Sequence, residues 1–294
     1  MQNRSTYNKN VQIANDAMYY IYEYIDTDIN IDDLALNFGI SKFHLHKLFK
    51  EVMGINIYET IKSIRLQKAS SLLLTNKYST ITQVASMCGY SSQTSFIRAF
   101  KERFHQTPKA WRNGGNEEYS ANILKNSTML LYEKKGLENI EPKIVKSKAL
   151  KTYYIRQRGY LKEDVIKIWQ KLQAWGYTNN ITKYDEIGIY HDNPTITPHN
   201  ECFYVAGIIP RGEVDLSNTS LPIFYTPEAL YATFEIKGKM GDILRFIQWA
   251  YQEWLPNSGF ETTTNPPYVI FKKNHFLNED RLFEATYYLP IQYV

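Results

Sequence analysis

The sequence predicts a two-domain chain, with an all-α N-terminal domain carrying two helix-turn-helix units and an α+β C-terminal domain built from a duplicated strand-helix-strand-strand unit. Three observations predict it. Up to about residue 113, apolar residues recur at helical spacing without a strand pattern: Ile57, Ile61, Ile64, Ala69, Leu72 and Leu73, then Phe96, Ile97, Phe100 and Phe104. Beyond residue 140, β-branched and aromatic runs are interrupted by two long helical patterns. Each half also repeats itself internally. A chain of 294 residues is long enough for two cores. The stretch from Arg112 to Gly136 opens on Asn-Gly-Gly and turns polar, which marks a joint. The expected layout is a first domain over 1–113, a linker over 114–139 and a second domain over 140–294.

Composition narrows the function classes. The chain is 44% hydrophobic and 22% charged, as folded proteins are. Its net charge of +4 is unevenly placed: residues 1–113 hold 14 basic and 9 acidic side chains, and the remainder hold 20 and 21. A polyanion partner is therefore expected for the first part alone. The start, MQNRSTYNKN, has no apolar h-region, and no stretch approaches the roughly 20 apolar residues that cross a bilayer, so a cytoplasmic protein without membrane contact is expected. Cys88 and Cys202 lie far apart without metal-type spacing and read as small apolar residues. No cofactor or metal is expected.

In the first domain, Ile31–Phe49 contains a helix-turn-helix in order. Leu34 and Ala35 form a buried side, Gly39 the turn, and Ser41 the cap of a second helix. The segment Thr80–Phe100 repeats it with Thr80 as cap, Ile81, Val84 and Ala85 buried, Gly89 in the turn, and Ser91 or Ser92 restarting the chain. The turn glycines are 50 residues apart and Phe49 and Phe100 are 51 apart, so the copies differ by one residue in the turn. From Ser41 to Lys50 the second helix carries Lys42, His44, His46, Lys47 and Lys50 with no acid. From Ser92 to Lys101 its counterpart carries Gln93, Thr94, Ser95, Arg98 and Lys101, again with no acid. Major-groove entry needs donors for phosphates and purine edges, and carboxylates there would be repelled. A merely solvated basic face explains one such helix more easily than two matched ones. A metal at His44 and His46 is disfavoured, because residues two apart on a helix face different ways.

Over about 100 residues this region resembles the DNA-binding domain of AraC-type transcription regulators, through ISKFHLHKLFKEVMGINI, IRLQKASSLL and VASMCGYSSQTSFIRAFKERFHQTPKAWR. The resemblance implies a central helix, about Tyr58 to Leu74, holding two recognition helices for successive major-groove segments. It places base-reading positions on Phe43, His46 and Lys47, and on Gln93, Thr94, Ile97 and Arg98, with Lys42 at the start of the first helix. Lys47 replaces a common arginine and suits a phosphate better than a two-pronged base contact. Thr60 replaces a usual aromatic residue, so looser packing is expected at the start of the central helix.

In the second domain, YYIRQRGYLKEDVIKIWQKLQAWGY repeats as ATFEIKGKMGDILRFIQWAYQEWLPNSGF, with Gly159 and Gly238 each 16 residues before Trp175 and Trp254. In each copy a strand ends at glycine, an amphipathic helix follows, and two strands come next. Strands are expected near Lys151–Gln157, Ile187–His191, Cys202–Ile209, Leu230–Ile236, Tyr268–Phe271 and Phe283–Leu289. A groove between two such copies suits a ligand. His191, His199 and Cys202 have no metal-type spacing and are expected at the surface.

From about Ile140 onward the chain resembles GyrI-like effector-binding domains, through IEPKIVKSKALKTYYIRQRGY, DNPTITP, EWLPNSGF and YYLPI. The resemblance implies a site for small aromatic, often cationic molecules, commonly with a glutamate that neutralises the cation. In this chain Val269 stands where that acid is expected and Phe271 where tyrosine is usual. A buried cation would then need another carboxylate, with Glu235 and Glu284 as candidates. Otherwise neutral aromatic ligands stack on Trp169, Trp254 and Phe271, although each of these also suits an ordinary core. The same replacements remove the Glu/Tyr pair of the hydrolases that share this fold, so an enzyme is not expected. The expected partners are double-stranded DNA, a small-molecule effector and RNA polymerase. A regulator whose second domain docks a protein is the alternative, and a fused hydrolase a more distant one.

Overall fold

In the computed structural model, which describes residues 4–126, 140–212, 216 and 221–293, the chain folds as two units, 1–113 and 114–294. The first unit is helical: α1 (Arg4–Glu23), α2 (Ile31–Asn37), α3 (Lys42–Met53), α4 (Ile57–Thr75), α5 (Ile81–Met87), α6 (Gln93–Phe104) and a short turn, α7 (Pro108–Ala110). The starts of α2 to α6 are set by side chains that accept from backbone N–H groups the helix leaves unpaired: Asn30, Ser41, Asn56, Thr80 and Ser92. Thr80 and Gln83 satisfy one another's backbone reciprocally. Each cap contributes roughly 1 kcal/mol.

The two helix-turn-helix copies superpose in sequence as expected. From α2 to α5 the offset is 50 residues and from α3 to α6 it is 51, so the extra residue lies between Gly89 and Gln93. Both turn glycines take left-handed backbone, Gly39 at φ +65° and Gly89 at φ +72°. Leu34, Ala35, Leu45, Leu48 and Phe49 bury against Ala14, Ala17 and Ile21 of α1 and Ile57 and Ile61 of α4. In the second copy, Phe100, Phe104 and Trp111 stack together, and the buried Trp111 indole donates to Ser70 O on α4 at 3.0 Å. The expected looseness at Thr60 is not found. Thr60 is buried, and its hydroxyl donates to Asn56 O at 3.0 Å, so a hydrogen bond replaces aromatic packing.

Arg65 of α4 joins the copies. Its Nε donates to Ile25 O at 3.0 Å and its Nη2 to Thr27 O at 2.7 Å, both just past α1. Its guanidinium also lies over the Tyr90 ring, 5.9 Å from the centroid, beside the second turn. A Cβ on Gly89 would fall 2.7 Å from Ile25 O and 2.8 Å from Arg65 Nη2, whereas one on Gly39 would meet open space.

The second unit opens with α8 (Asn116–Lys125), within the stretch expected as linker. Asn116, Ser120 and Leu124, four residues apart, are buried. Leu124 joins the core of this unit, and Ser120 Oγ accepts from Gln248 at 3.0 Å. The helix escaped sequence reading because its inner face is mostly small and polar. Residues 127–139 of the expected linker lie outside the described residues.

The strands are β1 (Lys143–Ser147), β2 (Lys151–Arg158), β3 (Tyr184–Tyr190), β4 (Phe203–Pro210), β5 (Ile223–Tyr225), β6 (Ala229–Lys239), β7 (Phe260–Thr262), β8 (Tyr268–Lys273) and β9 (Leu282–Tyr293). They form an antiparallel sheet in the order β1-β6-β9-β8-β3-β4-β2-β5, with β7 on β9. The duplication is plain in this order: β6-β9-β8 and β3-β4-β2 mirror one another across the β8–β3 seam. α9 (Lys162–Thr178) and α10 (Asp242–Trp249) supply the two helices, which pack with one sheet face in a single core. The other face is closed by Val145, Leu150 and Phe224 packing with Tyr154, Ile187, Ile189, Val205 and Tyr268. Among the described residues no helix is long and apolar enough to cross a membrane.

Both turn glycines need left-handed backbone, but only Gly89 is crowded. Gly39→Ala should therefore lower stability by about 1 kcal/mol. Gly89→Ala should cost about 2–4 kcal/mol, because the clash adds to the backbone term. Denaturant unfolding followed by far-UV circular dichroism checks the difference; equal losses would show that the crowding at Gly89 is relieved without cost.

Candidate functional site

The two capped helices α3 and α6 follow their turns with polar faces outward. On α3, Phe43 is 79% exposed, Lys47 is exposed, and Lys42 and His46 are half-buried. On α6, Gln93, Thr94 and Arg98 are exposed and Ile97 is half-buried. An exposed Phe43 removes the core-packing alternative for that side chain. Leu45, Leu48 and Phe49 anchor α3 from behind, and Phe96, Phe100 and Phe104 anchor α6.

Three of these side chains are held within the unit. Lys42 Nζ donates to Asp32 Oδ2 at 2.8 Å, which raises the lysine pKa and ties α3 to α2. Gln93 Oε1 accepts from Thr82 Oγ1 at 2.7 Å, leaving the amide nitrogen as the donor on that side chain. The His46 ring sits 5.2 Å from the Tyr58 ring. Lys47, Thr94 and Arg98 are exposed, and the nearest acids on their own helices, Glu51 and Glu102, come one turn later, past the first turns of α3 and α6. Such a face suits a phosphate backbone and the acceptor edges of purines.

In the second unit the structure brings Trp169, Val269 and Phe271 together and leaves Trp254 apart. Trp169 of α9 meets Phe271 edge-on at 5.8 Å. Trp169 and Val269 are fully buried and Phe271 nearly so. Trp254 instead packs edge-on against Phe234 of β6 at 5.0 Å, two strands away from β8. Neither sequence candidate for a substitute carboxylate reaches this place. Glu235 lies on the other sheet face, where it accepts from Lys272 at 2.5 Å and Thr286 at 2.8 Å. Glu284 is an exposed neighbour of the inward-facing Phe283 and Ala285.

The acid that does lie there is Glu186. Along β3, Tyr184 and Tyr190 face the helix-side core while Ile187 and Ile189 face the other side, so Glu186 and Gly188 share the helix side. Glu186 is in register with Phe271, and Gly188 with Val269. Glu186 Oε2 accepts from the buried Asn274 Nδ2 at 2.9 Å. Burial raises the Glu186 pKa and the Asn274 bond lowers it in part. A side chain at Gly188 would collide with Tyr204 Oη. That hydroxyl is buried beside the Trp169 indole. Both ring nitrogens of His275 are buried without a partner, and burial pushes its pKa down to about 3, so the ring is neutral. An inward acid on a strand was a visible signal; its pairing with Phe271 was not, because strand order is not written locally.

Cys202 is buried, as its reading as a small apolar residue implies, and His199 is buried rather than exposed. They close the 192–202 turn: His199 Nε2 is 3.0 Å from Pro194 O, and Asp192 Oδ2 accepts from Phe203 N at 2.8 Å. The DNPTITP stretch is thus a structural turn. Among the described residues no group of three or more His, Cys, Asp or Glu is arranged to hold a metal.

Two separate regions of the chain match known families. Residues 34–114 match the family described as a helix-turn-helix domain, and residues 140–292 match the GyrI-like small molecule binding domain. The xylose operon regulatory protein of Escherichia coli (strain K12) is 38% identical over 101 residues, 34% of this chain and 26% of that protein. The transcriptional regulator Rob of Salmonella typhimurium is 36% identical over 110 residues, 37% of each chain. A crystal structure of an AraC-type transcriptional regulator from Chromobacterium violaceum aligns over 35% of this chain and 92% of its own, at 27% identity and a TM-score of 0.33. The chain spans only 15% to 37% of the length of the curated relatives it matches. It carries an AraC-type helix-turn-helix domain and belongs to the GyrI-like small molecule binding family.

Proposed function

We propose that the chain is a cytoplasmic, DNA-binding transcription regulator whose second unit binds a small aromatic effector, with RNA polymerase as the partner through which occupancy alters transcription. The observation that carries the reading is the pair of matched, capped helices α3 and α6 in one helical unit, the first presenting basic donors and the second basic and amide donors. Phe43, Lys47, Gln93, Thr94, Ile97 and Arg98 are the contact residues in this reading, with His46 at the edge and Lys42 positioning α3 through Asp32. Gln93 and Arg98 have the shape for adenine and guanine edges, and Lys47 that for a phosphate. Trp169 and Phe271 form the aromatic part of the effector site, beside Val269. Val269 and Phe271 replace the Glu/Tyr pair of the hydrolases that share this fold at the positions where that pair is expected. Regulation requires the effector to bind two states of the chain unequally.

The contacts separate by mutation. Arg98→Ala should cost roughly 1–3 kcal/mol of DNA affinity and relax base preference at one position, whereas Lys47→Ala should weaken all sequences alike and reduce the salt slope by about 1. Fluorescence anisotropy on a selected site and a scrambled one, across a salt series, reads both. An unchanged profile for Arg98→Ala would make it plain surface. In the second unit, small aromatic compounds should raise the unfolding temperature of the whole chain in proportion to occupancy. No shift with any of them would favour docking of a protein instead.

A further inference from the structure

We infer that Thr82 is a positioning residue for base reading: its hydroxyl holds the Gln93 amide in one orientation, so that Gln93 reads adenine and rejects guanine at one position of the DNA site. The inference rests on the DNA-reading role proposed for α6 and adds the base that Gln93 reads and the residue that sets it. Thr82 Oγ1 donates to Gln93 Oε1 at 2.7 Å. The pair bridges the turn of the second helix-turn-helix, from the second residue of α5 to the first of α6. The first copy has a bridge at the same place. There Asp32, the second residue of α2, accepts from Lys42, the first of α3, at 2.8 Å. From Asp32 to Thr82 the offset is 50 residues and from Lys42 to Gln93 it is 51, the same offsets as the helices that carry them. The brace is therefore part of the repeat, while its chemistry differs between the copies: an ion pair in one, a hydroxyl and an amide in the other.

The difference decides what each copy can read. The first residues of a recognition helix are the ones that meet base edges. A lysine has donors alone, and Asp32 already takes one from Lys42. An amide has both kinds of group. Its oxygen carries two lone pairs, so with one taken by Thr82 the other remains beside the N–H groups. That edge matches adenine, which offers an N6–H donor next to the N7 acceptor. Guanine offers O6 and N7, both acceptors, and would set its O6 against the amide oxygen. A free glutamine escapes this clash by turning its amide over, whereas a tied one must first break its bond to Thr82. The neighbours leave the pair to itself. Gln83 is engaged with Thr80, and Ser92 with Ser95, each capping its own helix. No acid lies in the first turn of α5 or α6. Thr82 and Gln93 are both exposed, so their bond adds little to the core and acts on orientation instead. Fixing a long side chain before the DNA arrives removes an ordering cost that binding would otherwise carry.

The test uses the full chain on a duplex enriched by the wild-type chain from a randomised pool, then varied through all four base pairs at every position. Gln93→Ala marks the position that Gln93 reads, and there the wild-type chain should prefer adenine to guanine by about tenfold or more. Thr82→Val keeps the side-chain shape and removes the hydroxyl. It should cut that ratio roughly three- to tenfold, with the unfolding temperature and the salt slope unchanged. Thr82→Ser should retain the ratio. In the Gln93→Ala background, Thr82→Val should change nothing further. A ratio that survives Thr82→Val, a loss spread equally over all four bases, or an added loss in the Gln93→Ala background would overturn the positioning role. A wild-type preference for another base at the marked position would overturn the adenine assignment. In each of these cases Gln93 stays a base reader. No change of any preference in Gln93→Ala would instead remove Gln93 from the base contacts, and the inference with it.

Discussion

The Arg65 guanidinium is the point on which the first unit turns. One side chain on α4 donates to two carbonyls beyond α1, Ile25 O and Thr27 O, and lies against Tyr90 beside the turn of the second helix-turn-helix. Hydrogen bonds from a charged donor to carbonyls are stronger than neutral ones, and these two are made at a place where the chain has left helix and its carbonyls would otherwise need water. The second turn approaches so closely that only a residue without Cβ fits, and Gly89 supplies it. The first turn has no such neighbour, so the two glycines share a backbone conformation for the same local reason and differ in what the fold asks of them. The extra residue of the second copy lies just past this crowded turn, before α6.

Much of this was legible in the sequence because local chemistry repeats with the motif. Ser41 and Thr80 as caps, the turn glycines, and the buried Leu34, Ala35, Val84 and Ala85 each act within a few residues of themselves. The six longer strands likewise read correctly from β-branched and aromatic runs. What failed to read were elements whose reason lies elsewhere in the chain. The strands β1, β5 and β7 are short and defined by a neighbour, and α8 buries Asn116, Ser120 and Leu124, of which only one is apolar. Trp254 matches Trp175 by repeat position, not Trp169, and the fold sends Trp169 to Phe271 of β8 and Trp254 to Phe234 of β6.

The charge at the candidate effector site shows the same limit. Val269 stands on β8 where the resemblance expects an acid, and Glu235 and Glu284 are the substitute carboxylates that the sequence offers. Alternation places both on the wrong side of the sheet, because Phe234, Phe283 and Ala285 face the helices. The carboxylate on the right side belongs to the other copy of the repeat, across the β8–β3 seam.

If one chain grips DNA with both helices, a single bound molecule must protect two patches of backbone. Hydroxyl-radical footprinting of the chain on a selected site, at a stoichiometry fixed by mass, measures this directly. The account predicts two protected patches on one face of the duplex, about one helical turn apart, for each bound chain. One patch per chain would contradict it.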